Sequence, residues 1–133
     1  MDIKKHYVNG EWVTPISTAE CPVLNPATEQ QIGTIILGNA ADVDRAVAAA
    51  TAAFDSFSKT TKADRLDLLH ALMTHTKARF DDLAEAISAE MGAPMTMSRE
   101  AQADAAIGHL QGFIDALMAQ DTRETLANGD AMM

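Results

Sequence analysis

The side chains able to do chemistry are few in this sequence, and their surroundings argue against most of the reactions they could support. Cys21 is the only thiol. A nucleophilic cysteine needs a neighbouring base or a helix N-terminus to lower its pKa. Cys21 is followed instead by Pro22 in a strand-like stretch, which reads as structural. The histidines are His6, His70, His75 and His109. Zinc sites on one helix use pairs three or four residues apart, whereas His70 and His75 point to different sides of a helix, and no Cys or carboxylate cluster completes a site. Gly33 and Gly38 have the glycine spacing of a phosphate loop, but Asn39-Ala40 follow in place of Lys-Ser/Thr and the interior is a strand sequence. No G-x-G-x-x-G occurs, so the dinucleotide fingerprint is absent.

Other constellations have plain structural readings. Gly108 and Gly112 share a helix face, which would suggest dimerisation in a membrane and allows close approach of a neighbour in a polar helix. Asp64/Asp67 and Asp81/Glu85 lie at helical spacing and read as solvated surface, since no apolar pocket separates their pKa values. Met91, Met95 and Met97 read as soft filling of a core gap or contact. The expectation is therefore no catalytic, no cofactor-binding and no metal-ligating residue.

The elements that would hold these residues fall into two halves. His6-Tyr7-Val8, Asn9-Gly10 and Glu11-Trp12-Val13 spell a hairpin, with Asn-Gly supplying the positive φ angles of a type I′ turn. Pro15 closes the second strand. Cys21-Pro22-Val23-Leu24, the turn Asn25-Pro26-Ala27-Thr28 and the β-branched run at 32–37 form a second extended pair. From Ala40 the period becomes helical, with Val43, Val47, Ala50, Phe54 and Phe57 on one stripe. Asn39 is the expected N-cap, with Asp42 and Asp44 favoured by the helix dipole.

A second helix starts at Thr61, whose capping box uses Asp64. Leu66, Leu69, Met73 and Thr76 form its inner stripe, continued by Phe80. Asp81 or Asp82 is expected to cap a third helix that carries Leu83, Ile87 and Met91. Gly92 ends it and Pro94 prevents continuation. A fourth helix is expected over about 96–118, with Ile107, Leu110, Ile114 and Leu117 as its seam. The stretch 121–133 reads as a frayed tail. The class is α+β: antiparallel hairpin elements over 1–38, then about four helices over 39–120, all in one segment 1–133.

Composition narrows the function classes. The 133 residues are 47% hydrophobic and 22% charged, which is globular rather than disordered. A net charge of -9, with scattered basic residues, argues against nucleic acid and anionic membranes as partners. A single cysteine suits a reducing, cytoplasmic setting. No signal peptide is expected from the opening residues, and no apolar run is long enough for a transmembrane helix.

The order of the segments resembles one family. Tyr7-Val8-Asn9-Gly10-Glu11-Trp12-Val13 is similar to the "Y-I-N-G-E-W" opening of the NAD(P)-dependent aldehyde dehydrogenases. Asn25-Pro26-Ala27-Thr28 is similar to their "N-P-A-T-G-E" turn, and Ile32-Gly33-Thr34 with Leu37-Gly38 to the strand after it. The helix containing Asp42-Val43-Asp44-Arg45-Ala46-Val47 and Ala53-Phe54 resembles the family's first helix. Arg65 with Leu69, then Leu83-Ala84, then Glu90-Met91-Gly92-Ala93-Pro94 continue the series. The resemblance covers nearly all of residues 6–118. Two departures are visible: Glu29-Gln30 lack the usual glycine after Thr28, so that turn is expected to differ locally, and Phe57 stands where tryptophan is common.

The resemblance implies a partial aldehyde dehydrogenase α/β fold that lacks the parallel dinucleotide-binding sheet. In the family a cysteine thiolate attacks the aldehyde carbonyl, hydride passes to NAD or NADP, and water hydrolyses the thioester. The catalytic cysteine, the glutamate base, the oxyanion-holding asparagine and the dinucleotide loop all lie downstream of this stretch. The expectation is a truncated aldehyde dehydrogenase-like protein, inactive alone, that binds no cofactor itself and pairs with itself or with a complementary catalytic chain. The alternative is a stand-alone, non-catalytic helical module for oligomerisation or interaction.

Overall fold

Asn9 and Gly10 take φ angles of 53° and 80°, and the turn they make folds β2 (His6–Val8) against β3 (Glu11–Val13) in antiparallel register. This is the computed structural model of the chain, and it describes residues 2–120, 124, 125, 131 and 132. Tyr7 and Trp12 face each other across the hairpin, ring edge to ring face, with centroids 5.2 Å apart. A second antiparallel pair, β4 (Glu20–Asn25) and β5 (Gln30–Ile36), carries a register shift at Val23/Leu24. The sequence reading missed β1 (Asp2–Ile3), which pairs in parallel with Thr34 and Ile35 of β5. Two residues have no period to detect, and their partner lies some thirty positions away. The His6 ring joins the two sheets: its Nε2 donates to the Ile36 carbonyl at 3.2 Å.

The turn between β4 and β5 closes without a glycine after Thr28. The Asn25 side chain accepts from the Ala27 and Thr28 amides at 2.9 and 3.3 Å, and the Glu29 amide reaches the Asn25 carbonyl at 2.8 Å. Glu29 is thereby held at φ 59°, where a side chain crowds its own carbonyl.

Helix α1 (Ala40–Phe57) begins on the expected cap, with Asn39 and Asp42 bonding each other's backbone amides reciprocally. Asp42 does more than cap. Its carboxylate also accepts from the Ile16 amide at 2.8 Å and the Ser17 amide at 3.1 Å. The Arg45 guanidinium bridges it, at 3.4 Å, to the Thr14 carbonyl. The segment leaving β3 is thus fastened to the start of α1. These donors, the Ile16 amide foremost, hold the Asp42 carboxyl below the usual carboxylate range against the opposing effect of burial.

Helix α2 (Lys62–Ala78) opens with the predicted Thr61/Asp64 box. Helix α3 (Phe80–Met91) departs from expectation, since neither Asp81 nor Asp82 is its cap. Arg79 alone separates the two helices and serves both ends, so no extended residue remains to offer a capping side chain. Both aspartates lie in the first turn and pair with arginines, Asp82 with Arg79 and Asp81 with Arg99. Gly92 closes α3 at φ 69°, and a Cβ there would come within 2.9 Å of Pro26 and 3.0 Å of the Ala27 amide. The end of α3 is in this way seated on the β4–β5 turn.

The predicted fourth helix is one path in three pieces: α4 (Met95–Met97), a π-helical stretch (Ser98–Ala103) and α5 (Asp104–Ala119). A π turn shifts the register by one residue, which turns Ser98 and Ala103 inward together; both are fully buried. Helix α5 lies antiparallel to α2, and the Lys62 ammonium caps its end through the Met118 and Gln120 carbonyls at 2.7 and 2.9 Å. The core lies between these helices, where Met73 and Ile114 are buried, and beside α3, where Ala84 and Ala103 are. The tail over 121–133 falls mostly outside the described residues; within it β6 (Glu124–Thr125) pairs antiparallel with β7 (Ala131–Met132).

Two predictions follow from these anchors. Because the folded Asp42 carboxyl is depressed, its contribution is complete above the ordinary carboxylate pKa and disappears as pH falls through the lower folded value. Thermal melts across pH should therefore show Asp42→Asn well below the parent at neutral pH, with the gap closing in acid; a gap that does not change with pH refutes the assignment. At the strained turn, relief of about 1–2 kcal/mol outweighs the extra unfolded-state freedom of glycine, about 0.4–1 kcal/mol. Glu29→Gly should raise stability in urea titration, and a lower midpoint would show that Glu29 is unstrained.

Candidate functional site

The residues singled out for chemistry are scattered. Cys21 is half-buried on β4, its thiol donating to the Pro22 carbonyl at 3.6 Å. His6 is committed to Ile36. His70 and His75 are exposed on α2, and His109 is exposed on α5. Among the described residues, no three side chains of His, Cys, Asp or Glu are grouped to hold a metal ion. From Gly33 to Ile36 the backbone is paired with β4, and Thr34 and Ile35 are paired with β1 as well.

The carboxylates are also occupied locally. Asp64 accepts from the Thr61 hydroxyl and amide, and those bonds lower its pKa. Asp81 is paired with Arg99, while Asp67 and Glu85 stand exposed. The groove at the α2–α3 junction is lined by His75, Thr76, Arg79, Asp82, Leu83 and Ala86. Its charged members, Arg79 and Asp82, bond each other at 3.0 Å.

Met91, Met95 and Met97 are exposed, which removes the core-gap reading and leaves that of a contact. Among the described residues no neighbour approaches Gly108 or Gly112: a Cβ added at either would meet nothing within 4 Å. Each glycine therefore costs the helix about 1 kcal/mol relative to alanine with no compensating contact in the described chain.

What the structure does bring together is an apolar surface. Val43, Val47 and Phe54 of α1 are 59%, 57% and 66% exposed. Helical periodicity identifies their stripe, but it does not say which way the stripe turns. Ala46, Ala49, Ala50 and Ala53 line a groove with Tyr7, Val8 and Asn9 of the hairpin. The chain-facing side of α1 is therefore its Asp42 and alanine side, and the larger side chains face solvent. Leu68, Leu72 and Phe113 add exposed apolar area on α2 and α5. Among the described residues, no helix is long and apolar enough to cross a membrane.

The model of the aldehyde dehydrogenase family matches residues 12–133. A 3-succinoylsemialdehyde-pyridine dehydrogenase of a Pseudomonas species is 40% identical over 126 residues, covering 94% of this chain and 26% of its own. The crystal structure of an aldehyde dehydrogenase from Bartonella henselae superposes with a TM-score of 0.93 at 33% identity, over 98% of this chain and 27% of that one. Aldehyde dehydrogenase C from Pseudomonas syringae, solved as a mutant with NAD+ and octanal, gives 0.90 at 37% identity, over 93% and 26%. The chain spans about a quarter of the length of the relatives it matches.

With the α1 stripe uncovered in the free chain, Phe54→Ser should leave the unfolding free energy from urea titration within about 0.5 kcal/mol of the parent. Ile114→Ala, in the core, should cost about 2–5 kcal/mol. Equal losses for the two would mean that Phe54 is packed.

Proposed function

This chain belongs to the aldehyde dehydrogenase family, and from that premise we propose that it is the N-terminal scaffold of an NAD(P)-dependent enzyme that oxidises aldehydes to acids, with the chemistry carried by polypeptide it does not contain. Residues 1–133 act as one unit, β-rich over 1–38 and helical over 39–120. The unit supplies no catalytic, cofactor-binding or metal-ligating side chain. It works with a complementary catalytic chain or with further copies of itself, in the reducing cytoplasm.

The observation that carries this reading is the match to the Bartonella henselae enzyme: nearly the whole chain follows that protein's path while accounting for only 27% of it. Two observations support the absence of a dinucleotide site and of a reactive thiol in this unit. The segment with phosphate-loop glycine spacing has its backbone committed to a ladder, and the half-buried thiol donates to a carbonyl with no base bonded to it. No step of the oxidation is routed through these residues. The stand-alone interaction module is the weaker reading, because the fold has kept a dehydrogenase's conformation without closing over its own apolar surface.

Calorimetric titration of the purified chain with NAD and with NADP should give no binding heat, and the chain with either cofactor and an aldehyde should form no reduced nicotinamide. Micromolar affinity, or turnover by the chain alone, would overturn the scaffold reading.

A further inference from the structure

We propose that Met91 is a site of reversible oxidation by hydroperoxides, and that Gln102 receives the resulting sulfoxide and so fastens the end of α3 to the π-helical stretch. The inference is independent of the scaffold reading, since it concerns two side chains of this chain alone. Met91 is the last residue of α3 and is 59% exposed, so a small oxidant in water reaches its sulfur. Its Sδ accepts from the Gln102 Nε2 at 3.6 Å. The other end of that amide, Oε1, is buried, which holds the donor end toward Met91. Met95, Met97 and Met118 are exposed as well, but among the described residues only the Met91 sulfur has a hydrogen-bond donor against it. Met73, 6% exposed in the core, is the internal reference.

The step is an oxygen-atom transfer. A lone pair of the Met91 sulfur attacks one oxygen of hydrogen peroxide, and the S–O bond forms as the O–O bond breaks. The hydroxyl that sulfur acquires gives its proton to the departing hydroxide, leaving a sulfoxide and water. Sulfur loses two electrons and the peroxide gains them. A thioether is a weak acceptor, whereas the sulfoxide is polar and its oxygen takes a full hydrogen bond. Rotation about the last torsions of an unbranched side chain brings that oxygen to the Gln102 amide. In a packed core the same change disrupts structure; at the open end of α3 it displaces nothing and strengthens a contact already made. A methionine sulfoxide reductase restores the thioether: two thiols become a disulfide and the oxygen leaves as water.

The test treats the chain with hydrogen peroxide and follows its methionines by peptide mass mapping, beside Met91→Leu and Gln102→Leu forms whose Tm is read before and after treatment. Expected is that Met91 gains one oxygen well before Met73, and that the reductase removes it from the folded chain. The change in Tm on oxidation should be more favourable in the parent than in either variant, by about 2–5 °C. Oxidation of Met73 with Met91 unmodified, or a Met91 sulfoxide that resists the reductase, would overturn the site. An equal change in Tm in all three chains would overturn the part assigned to Gln102. Mapping and reductase treatment use the parent alone, so they decide the site even where a variant fails to fold.

Discussion

One carboxylate sets the relation between the two halves of the molecule. Asp42 accepts from the Ile16, Ser17 and Asn39 amides while Arg45 links it to the Thr14 carbonyl. Backbone amides that lie away from water need acceptors, and this loop finds them on the first turn of α1 rather than in a strand. The bond also fixes the rotation of the helix. With Asp42 turned toward the loop, Val43 is carried about 100° around the axis, and Val47 and Phe54 follow it into solvent.

That rotation explains why a well-formed helix leaves its best apolar residues uncovered. The interior elsewhere is thin: of Met73, Ala84, Ala103 and Ile114, which form the buried apolar core among the described residues, two are alanines. Burial is worth roughly 25 cal/mol per Å², so little of the available apolar surface has been used. The conformation nevertheless coincides with that of a dehydrogenase almost four times as long. Local devices account for much of this: the two capping boxes, Gly92 against Pro26, the His6 bridge and the Lys62 cap.

Features governed by neighbours in sequence were legible there. Asn9-Gly10, Asn39 with Asp42, Thr61 with Asp64, Gly92 and the Ile107 to Leu117 seam each follow from local stereochemistry, and each is found in place. The rest depended on distant partners. Nothing in Asp2-Ile3 announces pairing with Thr34-Ile35, and the π stretch differs from an α-helix by a single residue of register. Asp42 was visible as a dipole-favoured acid, while its hold on Ile16 required knowing where the loop runs. The missing glycine at Glu29 was a usable signal, since that position takes a positive φ in the structure. The chemistry-bearing residues were read one by one, but the exposed face of α1 was not, because a stripe has no sign until something fixes the helix in space.

Lys62 lends its ammonium to the Met118 and Gln120 carbonyls, and Gln120 itself is extended at φ -74°, ψ 128°. The final turn of α5 is therefore neutralised from across the helix pair, and the backbone leaves it on a bearing chosen by the second helix. A charge placed near the middle of the sequence thus acts as a rudder for the last long helix where it ends at Gln120.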